Sequence, residues 1–385
     1  MEYKYIREKP LGIYIHIPFC IKKCRYCDFL SFADTDRSFH EIYTAKMTDE
    51  IASWSLIHNN MYTVDTIFVG GGTPSILSPE LLCDLLDAVF ARYRVREDAE
   101  ITIEANPGTL TPEKLTAFRN AGFTRISMGA QSFDPGLLKM MGRIHTPEEI
   151  FESFSTARKA GFDNINLDLI FGLPGETQKQ WMKDIDTAIG LTPEHISFYS
   201  LQIEEGTEIY HDIVSGKVET LPDLEDRIMY HNAIETLTEA GYGHYEISNA
   251  ARPGFASRHN LKYWSLDDYL GVGLGAHSYV NGVRSANTNQ ISDYMSGNTD
   301  HGRISWLHKN SESDDISEYV FLGLRKTEGI NFDHFRQAFG KNFWDLYSEE
   351  TEKLIGRGLL ERDDHTLRLT RLGLDLSNQV FSEYV

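Results

Sequence analysis

Three of the four cysteines stand within eight residues, and this cluster constrains the chain more than any other feature. They are Cys20, Cys24 and Cys27, spaced C-x₃-C-x₂-C in the segment YIHIPFCIKKCRYCDF. An apolar, β-branched run at residues 13–17 precedes them and is typical of a buried strand. Thiolates at this density favour an iron–sulfur cluster or zinc. With three cysteine ligands, one iron of a [4Fe–4S] cube stays open to a small molecule.

Other uses of the cysteines fit the sequence less well. Structural zinc sites usually take four ligands from paired C-x₂-C knuckles, and the sequence contains no second pair. Cys83 stands alone in a predicted helix and is interpreted as a small buried hydrophobic residue. Cysteines grouped three and one make a poor disulfide framework, which favours a reducing compartment. The first residues, MEYKYIREKPLG, lack the apolar core of a signal peptide, so we expect a cytoplasmic chain.

Charge and hydropathy restrict the partners. The formal net charge is −20, which argues against sequence-independent binding to nucleic acid and against electrostatic docking on anionic lipid. No run of about 18 apolar residues occurs, so no integral membrane segment is expected. A local basic patch would still allow peripheral membrane association.

Short apolar runs alternate with longer amphipathic segments through the first half of the chain. This alternation predicts a parallel sheet with helices between the strands. Six consecutive units favour an α/β fold of the incomplete parallel (β/α)6, TIM-like kind over a doubly wound sheet. The predicted strands are residues 13–17, 66–69, 99–105, 125–128, 164–171 and 195–200.

The pattern changes towards the C-terminus. We assign residues 1–280 to the barrel with an extension, residues 281–312 to a polar, irregular connector, and residues 313–385 to a C-terminal domain. Helices near residues 316–324, 332–339 and 343–357, a hairpin in LLERDDHTLRLT and a last helix from Leu372 resemble a winged-helix unit. Its acidic character favours packing against the barrel or a partner, including a second copy of the chain, over reading DNA.

Polar and glycine-rich features follow the predicted strands. In a parallel barrel, functional groups collect at the carboxyl ends of the strands. Each feature alone is compatible with an ordinary cap or turn, but together they predict one site on one rim. They are the cysteines after the first strand, Gly71, Gly72 and Thr73 after the second, Glu104 at the end of the third, Gln131 after the fourth and Asp168 late in the fifth.

C-x₃-C-x₂-C after a strand, with Tyr26 just before the last cysteine, resembles the radical S-adenosylmethionine (SAM) superfamily. The wording YIHIPFCIKKCRYCDF is similar to the group that contains oxygen-independent coproporphyrinogen III oxidase and the HemW-type haem chaperones. Further motifs of this group follow in order over nearly the whole chain: FVGGGTPS, EANPGTL, RISMGAQSF, MGRIH, NLDLIFGLPGET and HISFYSL. The resemblance implies a radical SAM barrel holding a [4Fe–4S] cluster on the three cysteines and SAM on the open iron.

The resemblance also implies roles for the rim residues, and each has a structural alternative such as a turn, a cap or core packing. One-electron reduction of the SAM sulfonium is the implied reaction, and it requires an electron donor for the cluster. The implied SAM contacts are Gly71, Gly72 and Thr73 to the methionine part, Glu104 to a ribose hydroxyl or the sulfonium side, Arg143 to the carboxylate, Gln131 and Asp168 to the ribose, and Tyr14 and Tyr26 packing on the cofactor.

Three features separate a carrier from an enzyme within this group. The porphyrinogen-oxidising enzymes place a fourth cysteine where this chain has Phe29. They also have a longer segment ahead of the first strand, where this chain has about a dozen residues. Third, HNLKYW, which begins at His259, matches the H-N-x-x-Y-W motif of the HemW-type chaperones.

We therefore expect a haem chaperone on a radical SAM scaffold. A neutral imidazole is a good axial ligand for haem iron, which makes His259 the candidate haem ligand. The expected partners are haem, an apo-haemoprotein acceptor such as a respiratory enzyme, and an electron donor. The alternative is an oxygen-independent coproporphyrinogen III oxidase, and a satisfied structural histidine is the alternative for His259.

Overall fold

A mainly parallel sheet forms the centre of the chain in a computed structural model, which describes residues 9–58, 61–297 and 303–385. The expectation about the segment ahead of the first strand rests largely on residues 1–8, which lie outside the described residues. The strands are β1 (Lys9–Ile17), β2 (Phe19–Cys20), β3 (Phe32–Ala33), β4 (Tyr62–Gly71), β5 (Arg94–Ala105), β6 (Arg125–Gln131), β7 (Ile165–Phe171), β8 (His195–Ser200), β9 (Gly243–Glu246), β10 (Asn249–Ala251), β11 (Tyr269–Val272), β12 (His277–Val280), β13 (Val283–Asn287), β14 (Ile304–Lys309), β15 (Ile330–Asn331), β16 (Leu360–Arg362) and β17 (Thr366–Leu369).

Helices connect the strands and cover the outside of the sheet. Many begin at a side chain that caps the first turn. In the helix that begins at Pro147, the Thr146 hydroxyl accepts from the Glu149 amide and the Glu149 carboxylate accepts from the Thr146 amide. The helices are α1 (Arg37–His58), α2 (Pro79–Arg92), α3 (Pro112–Ala121), α4 (Pro135–Met140), α5 (Pro147–Lys159), α6 (Gln178–Leu191), α7 (Glu208–Val214), α8 (Asp223–Glu239), α9 (Arg258–Trp264), α10 (Ile291–Ser296), α11 (Glu312–Gly323), α12 (Phe332–Phe339), α13 (Phe343–Gly356), α14 (Arg371–Asp375) and α15 (Ser377–Phe381).

The strand order confirms the predicted incomplete barrel. Strands β1, β4, β5, β6, β7 and β8 are neighbours in that order and run parallel, as predicted. A further strand, β11, pairs in parallel with the outer side of β1. Antiparallel strands extend the sheet at both ends, up to β14 on one side and β9 on the other. Within the described ranges these two strands are edges, so the sheet does not close on itself.

The segment predicted as an irregular connector is in large part regular, and that prediction is wrong. Strands β13 and β14 pair antiparallel and add to the barrel sheet, with α10 between them. The five residues 298–302 of this segment lie outside the described part of the chain. β14 is exposed along nearly its whole length, so its sequence lacks the apolar alternation that marks a half-buried strand. The division of the chain into units at residues 280 and 312 stays a prediction.

A second hydrophobic core holds the C-terminal region together. Buried side chains of α11, α12 and α13 pack with the three-stranded sheet β15–β17–β16, separately from the barrel core. The predicted helices and hairpin are present, and the last predicted helix forms as α14 and α15. Asp375 on α14 pairs with His231 on α8 at 2.8 Å, and Arg371 pairs with Glu235, so this region is held against a barrel helix.

Glu50 joins α1 to the strands beyond β1. Its carboxylate is buried and accepts hydrogen bonds from the Gly273 amide (3.0 Å), the Asn287 side chain (2.8 Å) and the Tyr294 hydroxyl (2.7 Å). Burying such a polar group costs free energy unless donors like these replace water. The sheet extension therefore depends on this acceptor.

We expect Glu50→Ala to lower the free energy of unfolding by about 3 kcal/mol or more, because several buried donors lose their acceptor at once. Urea unfolding measures this loss. Glu41→Ala is the matched control on the exposed face of α1, where the ion pair with Arg37 contributes about 0.5 kcal/mol or less. Equal losses in the two variants would contradict the role assigned to Glu50.

Candidate functional site

The cysteine loop lies between β1 and α1, at the carboxyl end of the barrel. A short parallel pairing of β2 with β3 closes its base, where Cys20 lies opposite Ala33. Cys20 is buried, and Cys24 and Cys27 are half-buried. The Arg25 amide donates to the Met141 carbonyl at 3.0 Å, which ties the middle of the loop to the end of α4.

Each cysteine sulfur has its own polar neighbour. The Thr73 hydroxyl lies 3.6 Å from Cys20 Sγ, and Arg143 Nη1 lies 3.4 Å from Cys24 Sγ. Ser31 Oγ lies 3.9 Å from Cys27 Sγ. Burial raises the pKa of the Cys20 and Cys27 thiols, while the hydroxyls of Thr73 and Ser31 act in the opposite direction, towards the thiolates that bind iron.

The sulfurs do not gather around a single ion. Among the residues that the structure describes, no three Cys, His, Asp or Glu side chains converge on one metal position. In an iron–sulfur cube each cysteine binds a different iron, whereas one zinc ion needs its ligands around one point. Three cysteine thiolates on one loop are the donor set that an iron–sulfur cluster takes, and this assignment stays a prediction.

The glycines after β4 allow this strand to approach the cysteine loop. A Cβ on Gly72 would lie 2.6 Å from the Phe19 carbonyl oxygen and 3.0 Å from Cys20 Sγ. The Gly72 amide donates to the Ile17 carbonyl at 2.7 Å, and the Thr73 amide to the Phe19 carbonyl at 2.8 Å. Gly71 has φ +116°, which favours glycine, and its amide donates to Glu104 at 2.9 Å.

Arg143 lies inside the rim and joins three strand ends. Its Nη2 donates to Asn106 Oδ1 at 2.6 Å and to the Gly129 carbonyl at 2.7 Å, while Nη1 faces Cys24. Asn106 in turn donates to the Thr73 hydroxyl at 2.9 Å. Nε is buried without a partner in the described structure. A bidentate contact with a SAM carboxylate stays a prediction, and it requires one of these bonds to be exchanged.

Sequence reasoning did not single out Asn106, although it stands in the motif EANPGTL. The signal available was its place two residues after Glu104, at the end of the same strand.

Below the rim, the barrel encloses a polar cavity of about 190 Å³. Four predicted residues line it: Tyr14, Glu104, Asp168 and His259. Asp168 accepts from Ser127 at 3.0 Å and from Asn166 at 2.8 Å. Burial, and then the Asp168 carboxylate, raise the pKa of Glu104 to about 8. Sequence reasoning missed several lining residues, because they begin strands rather than follow them: Arg125, Ser127, Asn166 and Ser197.

The other predicted cofactor residues lie in different surroundings. Tyr14 lines the cavity and its hydroxyl lies 2.9 Å from His16 Nδ1. Tyr26 packs on an apolar cluster beneath the cysteine loop that includes Leu138 and Met141, so core packing is the role that its contacts support. Gln131 ends β6 with φ 66°, a left-handed conformation that is uncommon for a residue with a side chain. Such strain is frequent at functional sites.

His259 lines the barrel cavity from the side of α9. The helix α9 carries it against the middle of β4 and β5, where the His259 amide donates to Glu100 at 3.0 Å. Its Nδ1 bonds the Thr66 hydroxyl and its Nε2 bonds the Tyr263 hydroxyl, both at 2.8 Å. Its ring packs against that of Phe68, with centroids 5.3 Å apart, and it lines the same cavity as Tyr14, Glu104 and Asp168.

The His259 ring is sealed in this conformation. It is 1% exposed, and burial together with Lys262 and Arg125 lowers its pKa to about 3. The imidazole is therefore neutral at physiological pH, as a metal ligand must be. Both nitrogens nevertheless have protein partners, and the contacts are those of a satisfied structural histidine.

Phe29 stands at the edge of the cysteine loop and is 70% exposed. A phenyl ring cannot ligate iron, so this position contributes no fourth thiolate. Lys23 Nζ and Ser31 Oγ donate to its carbonyl, at 3.2 and 3.3 Å, which fixes the backbone beside Cys27.

Comparison with known proteins matches both regions of the chain. Residues 14–188 match the Radical SAM superfamily, and residues 310–376 match the HemN C-terminal domain. Heme chaperone HemW of Bacillus subtilis is 37% identical over 97% of this chain and 98% of its own length. Heme chaperone HemW of Escherichia coli is 41% identical over 71% of each chain.

A solved structure shares the fold. Coproporphyrinogen III oxidase (HemN) from Escherichia coli superposes with a TM-score of 0.85 at 23% identity, covering 98% of this chain and 90% of that one. At this identity the likeness concerns the architecture. In the described residues, no helix has the length and apolar character that crossing a bilayer requires.

The raised pKa of Glu104 predicts a specific pH dependence. Between the ordinary value of 4.5 and about 8, the folded chain keeps this proton while the unfolded chain releases it. Its contribution to stability is full below pH 4.5 and is lost as the pH rises through 8. In cluster-free protein without SAM, the free energy of unfolding should decrease less steeply with rising pH in Glu104→Gln than in the unsubstituted chain. The difference in slope should be up to about 1.4 kcal/mol per pH unit.

Urea unfolding between pH 5 and 8.5 measures this effect. Glu152→Gln, on the exposed face of α5, is the control and should keep the slope of the unsubstituted chain. An unchanged slope in Glu104→Gln would mean that this carboxyl is ionised in the folded chain.

Proposed function

The chain belongs to the HemW family of the radical SAM superfamily, and on that premise we propose that it is a haem chaperone, which binds haem and delivers it to an apo-haemoprotein. One observation carries this proposal: heme chaperones named HemW match the chain over 97% of its length, C-terminal region included. A cytoplasmic location and a respiratory enzyme as acceptor belong to the same proposal.

The cysteine loop is proposed to hold a [4Fe–4S] cluster with SAM on its open iron. When bound, this pair supplies one-electron chemistry at the SAM sulfonium, and an external donor provides the electron. The protein's own contribution is to orient the thiolates. Thr73 and Arg143 donate towards Cys20 and Cys24, and the glycine turn brings backbone to the same place.

The inward-facing carboxyls of Glu104 and Asp168 support binding of the SAM ribose or sulfonium side. A proton on Glu104 lets it donate as well as accept, and its bond from the Gly71 amide fixes its orientation. The contacts proposed for SAM remain those of Tyr14, Tyr26, Gly71, Gly72, Thr73, Glu104, Gln131, Arg143 and Asp168.

His259 is proposed as the haem ligand, and the structure defines what this requires. The cavity of about 190 Å³ is smaller than the 300–1,000 Å³ usual for sites of drug-sized ligands. Haem contact therefore requires α9 to move and Tyr263 to release Nε2. A buried ion pair between Lys262 and Asp65 at 2.8 Å holds α9 in the sealed position.

Haem titration tests the ligand. We expect His259→Ala to weaken haem binding at least about tenfold, a loss of about 1.4 kcal/mol, followed by the Soret band. Tyr263→Phe should strengthen binding, because it frees Nε2 while keeping the ring in place. The control is His365→Ala in the exposed turn between β16 and β17. Unchanged affinity in both His259→Ala and Tyr263→Phe would exclude His259 as the ligand.

An activity assay on the unsubstituted protein distinguishes a haem carrier from an enzyme. Supplied with SAM, a reductant and coproporphyrinogen III, the protein should form no protoporphyrinogen IX. Product formation that depends on substrate would establish the alternative, an oxygen-independent coproporphyrinogen III oxidase.

Iron analysis tests the cluster. Each of Cys20→Ser, Cys24→Ser and Cys27→Ser should lose most of the iron and sulfide after anaerobic reconstitution, because serine is a poor ligand for iron. Cys83→Ser, on α2, should retain a full complement. A stable cluster in a variant with one of the three loop cysteines replaced would contradict the assignment. Iron loss in Cys83→Ser would contradict it as well.

A further inference from the structure

A groove of about 650 Å³ lies between the outer end of the barrel sheet and the C-terminal helices. Strands β13 and β14 form one wall, and α11, α13 and the last residues of the chain form the other. The groove shares no lining residue with the cavity of His259 or with the pocket at the cysteine loop. The function proposed above leaves it unused.

One wall presents an exposed aromatic surface. Trp306 is 49% exposed, and its ring stacks with that of His308, with centroids 6.1 Å apart and planes 13° apart. Both side chains stand on the same face of β14, and Phe321 and Tyr347 line the groove across from them. Tryptophan is enriched at the centres of protein interfaces, where it packs against a partner's side chain. An exposed tryptophan beside a groove is therefore a mark of a binding surface.

The groove is acidic. Its lining includes four carboxylates and one guanidinium. Arg284 forms a bidentate pair with Glu318, at 2.6 and 2.7 Å, and Lys353 pairs with Glu383 at 3.1 Å from outside the lining.

The remaining carboxylates are Asp314 and Glu350. His308 Nε2 lies 3.3 Å from Asp314, which also caps α11. Glu350 has no salt bridge within the described ranges. The field in the groove therefore attracts cations and repels anions such as the haem propionates.

A buried acceptor also belongs to the residues that line the groove. Asn310 is 7% exposed, and its Nδ2 donates to Asp315 at 2.9 Å and to Glu318 at 3.0 Å. Because both neighbours are carboxylates, the amide nitrogen must point at them, which fixes the orientation of the amide. Its Oδ1 is left without a partner in the described structure. Buried carbonyl oxygens rarely lack a donor. This one has no exposed surface, so an N–H group of a ligand reaches it only if the neighbouring side chains shift.

We propose that this groove binds a cationic segment of a partner protein. An arginine or lysine donates to Asn310 Oδ1 and pairs with Glu350, while a neighbouring apolar side chain packs on Trp306. If the proposed haem transfer holds, that partner is the haem acceptor, and the groove is where its polypeptide docks. An arginine can also stack on Trp306, since guanidinium groups bind the faces of indole rings.

A labelled peptide of alternating arginine and leucine, with a glutamate-for-arginine counterpart, tests the groove by fluorescence anisotropy on the full chain. The arginine peptide should bind and the glutamate peptide should not. Trp306→Ala and Glu350→Lys should each raise the Kd for the arginine peptide at least about tenfold. Both positions are on the surface, so these variants should fold normally.

Matched substitutions on α5 control for attraction by the overall negative charge. Phe151→Ala likewise replaces an exposed aromatic residue by alanine, and Glu152→Lys likewise reverses an exposed charge, both on an outer barrel helix. Each should leave the Kd within about twofold. If they weaken binding as much as the groove variants, the binding is unspecific and the proposal fails. The proposal also fails if the arginine peptide does not bind.

Haem is the remaining occupant to exclude. Trp306→Ala and His308→Ala should leave the Soret band of the haem-loaded chain unchanged. Loss of that band in either variant would make the groove a haem site and overturn the peptide proposal. The peptide measurement needs no haem and the haem titration needs no peptide, so failure of the groove and failure of the chaperone function remain distinguishable.

Discussion

The close approach of the glycine turn after β4 to the cysteine loop is the contact on which the site depends. There is no room for a Cβ on Gly72, since it would lie 2.6 Å from a carbonyl oxygen of the loop. Two backbone hydrogen bonds, from Gly72 and Thr73, join the turn to the loop along this contact. The Thr73 hydroxyl thereby reaches Cys20, and Asn106 and Arg143 follow as a chain of hydrogen bonds to Cys24. Cysteine spacing alone brings the sulfurs near one another; the turn decides which donors face them.

The barrel is polar inside as well as at its rim, and burying these polar groups costs free energy. Burial raises the pKa of Glu104 and lowers that of His259, so both are neutral near pH 7. Neutral groups with partners avoid the penalty of isolated buried charges. The interior is thus stable while closed, and any haem contact at His259 has to displace the Tyr263 hydroxyl.

The barrel strands and the helical C-terminal region were predictable because buried apolar runs and capping residues are local signals. The same logic failed for β13, α10 and β14, the described elements of the segment predicted as a connector. β14 is exposed along nearly its whole length, so it carries no alternation, and its pairing with β13 is a tertiary event. Among the site residues, those that follow strands were predictable from the barrel rule. Arg125 and Asn166 were not, because residues at the start of a strand face the interior only once the strands are tilted into a barrel.

The order of residues along the chain determined which chemical groups the site contains, and long-range packing determined where those groups lie. The sequence by itself supplied three thiols at cluster spacing and the glycines that permit a close turn. It also supplied Phe29 at the position where the porphyrinogen-oxidising enzymes have a fourth cysteine. Only the tertiary structure placed His259 in the same cavity as Glu104 and Asp168, with both ring nitrogens occupied. A motif specifies which atoms are present within a few residues. The distance between two motifs, and the partners each one meets, depend on strand register and on which helix covers which end of the barrel.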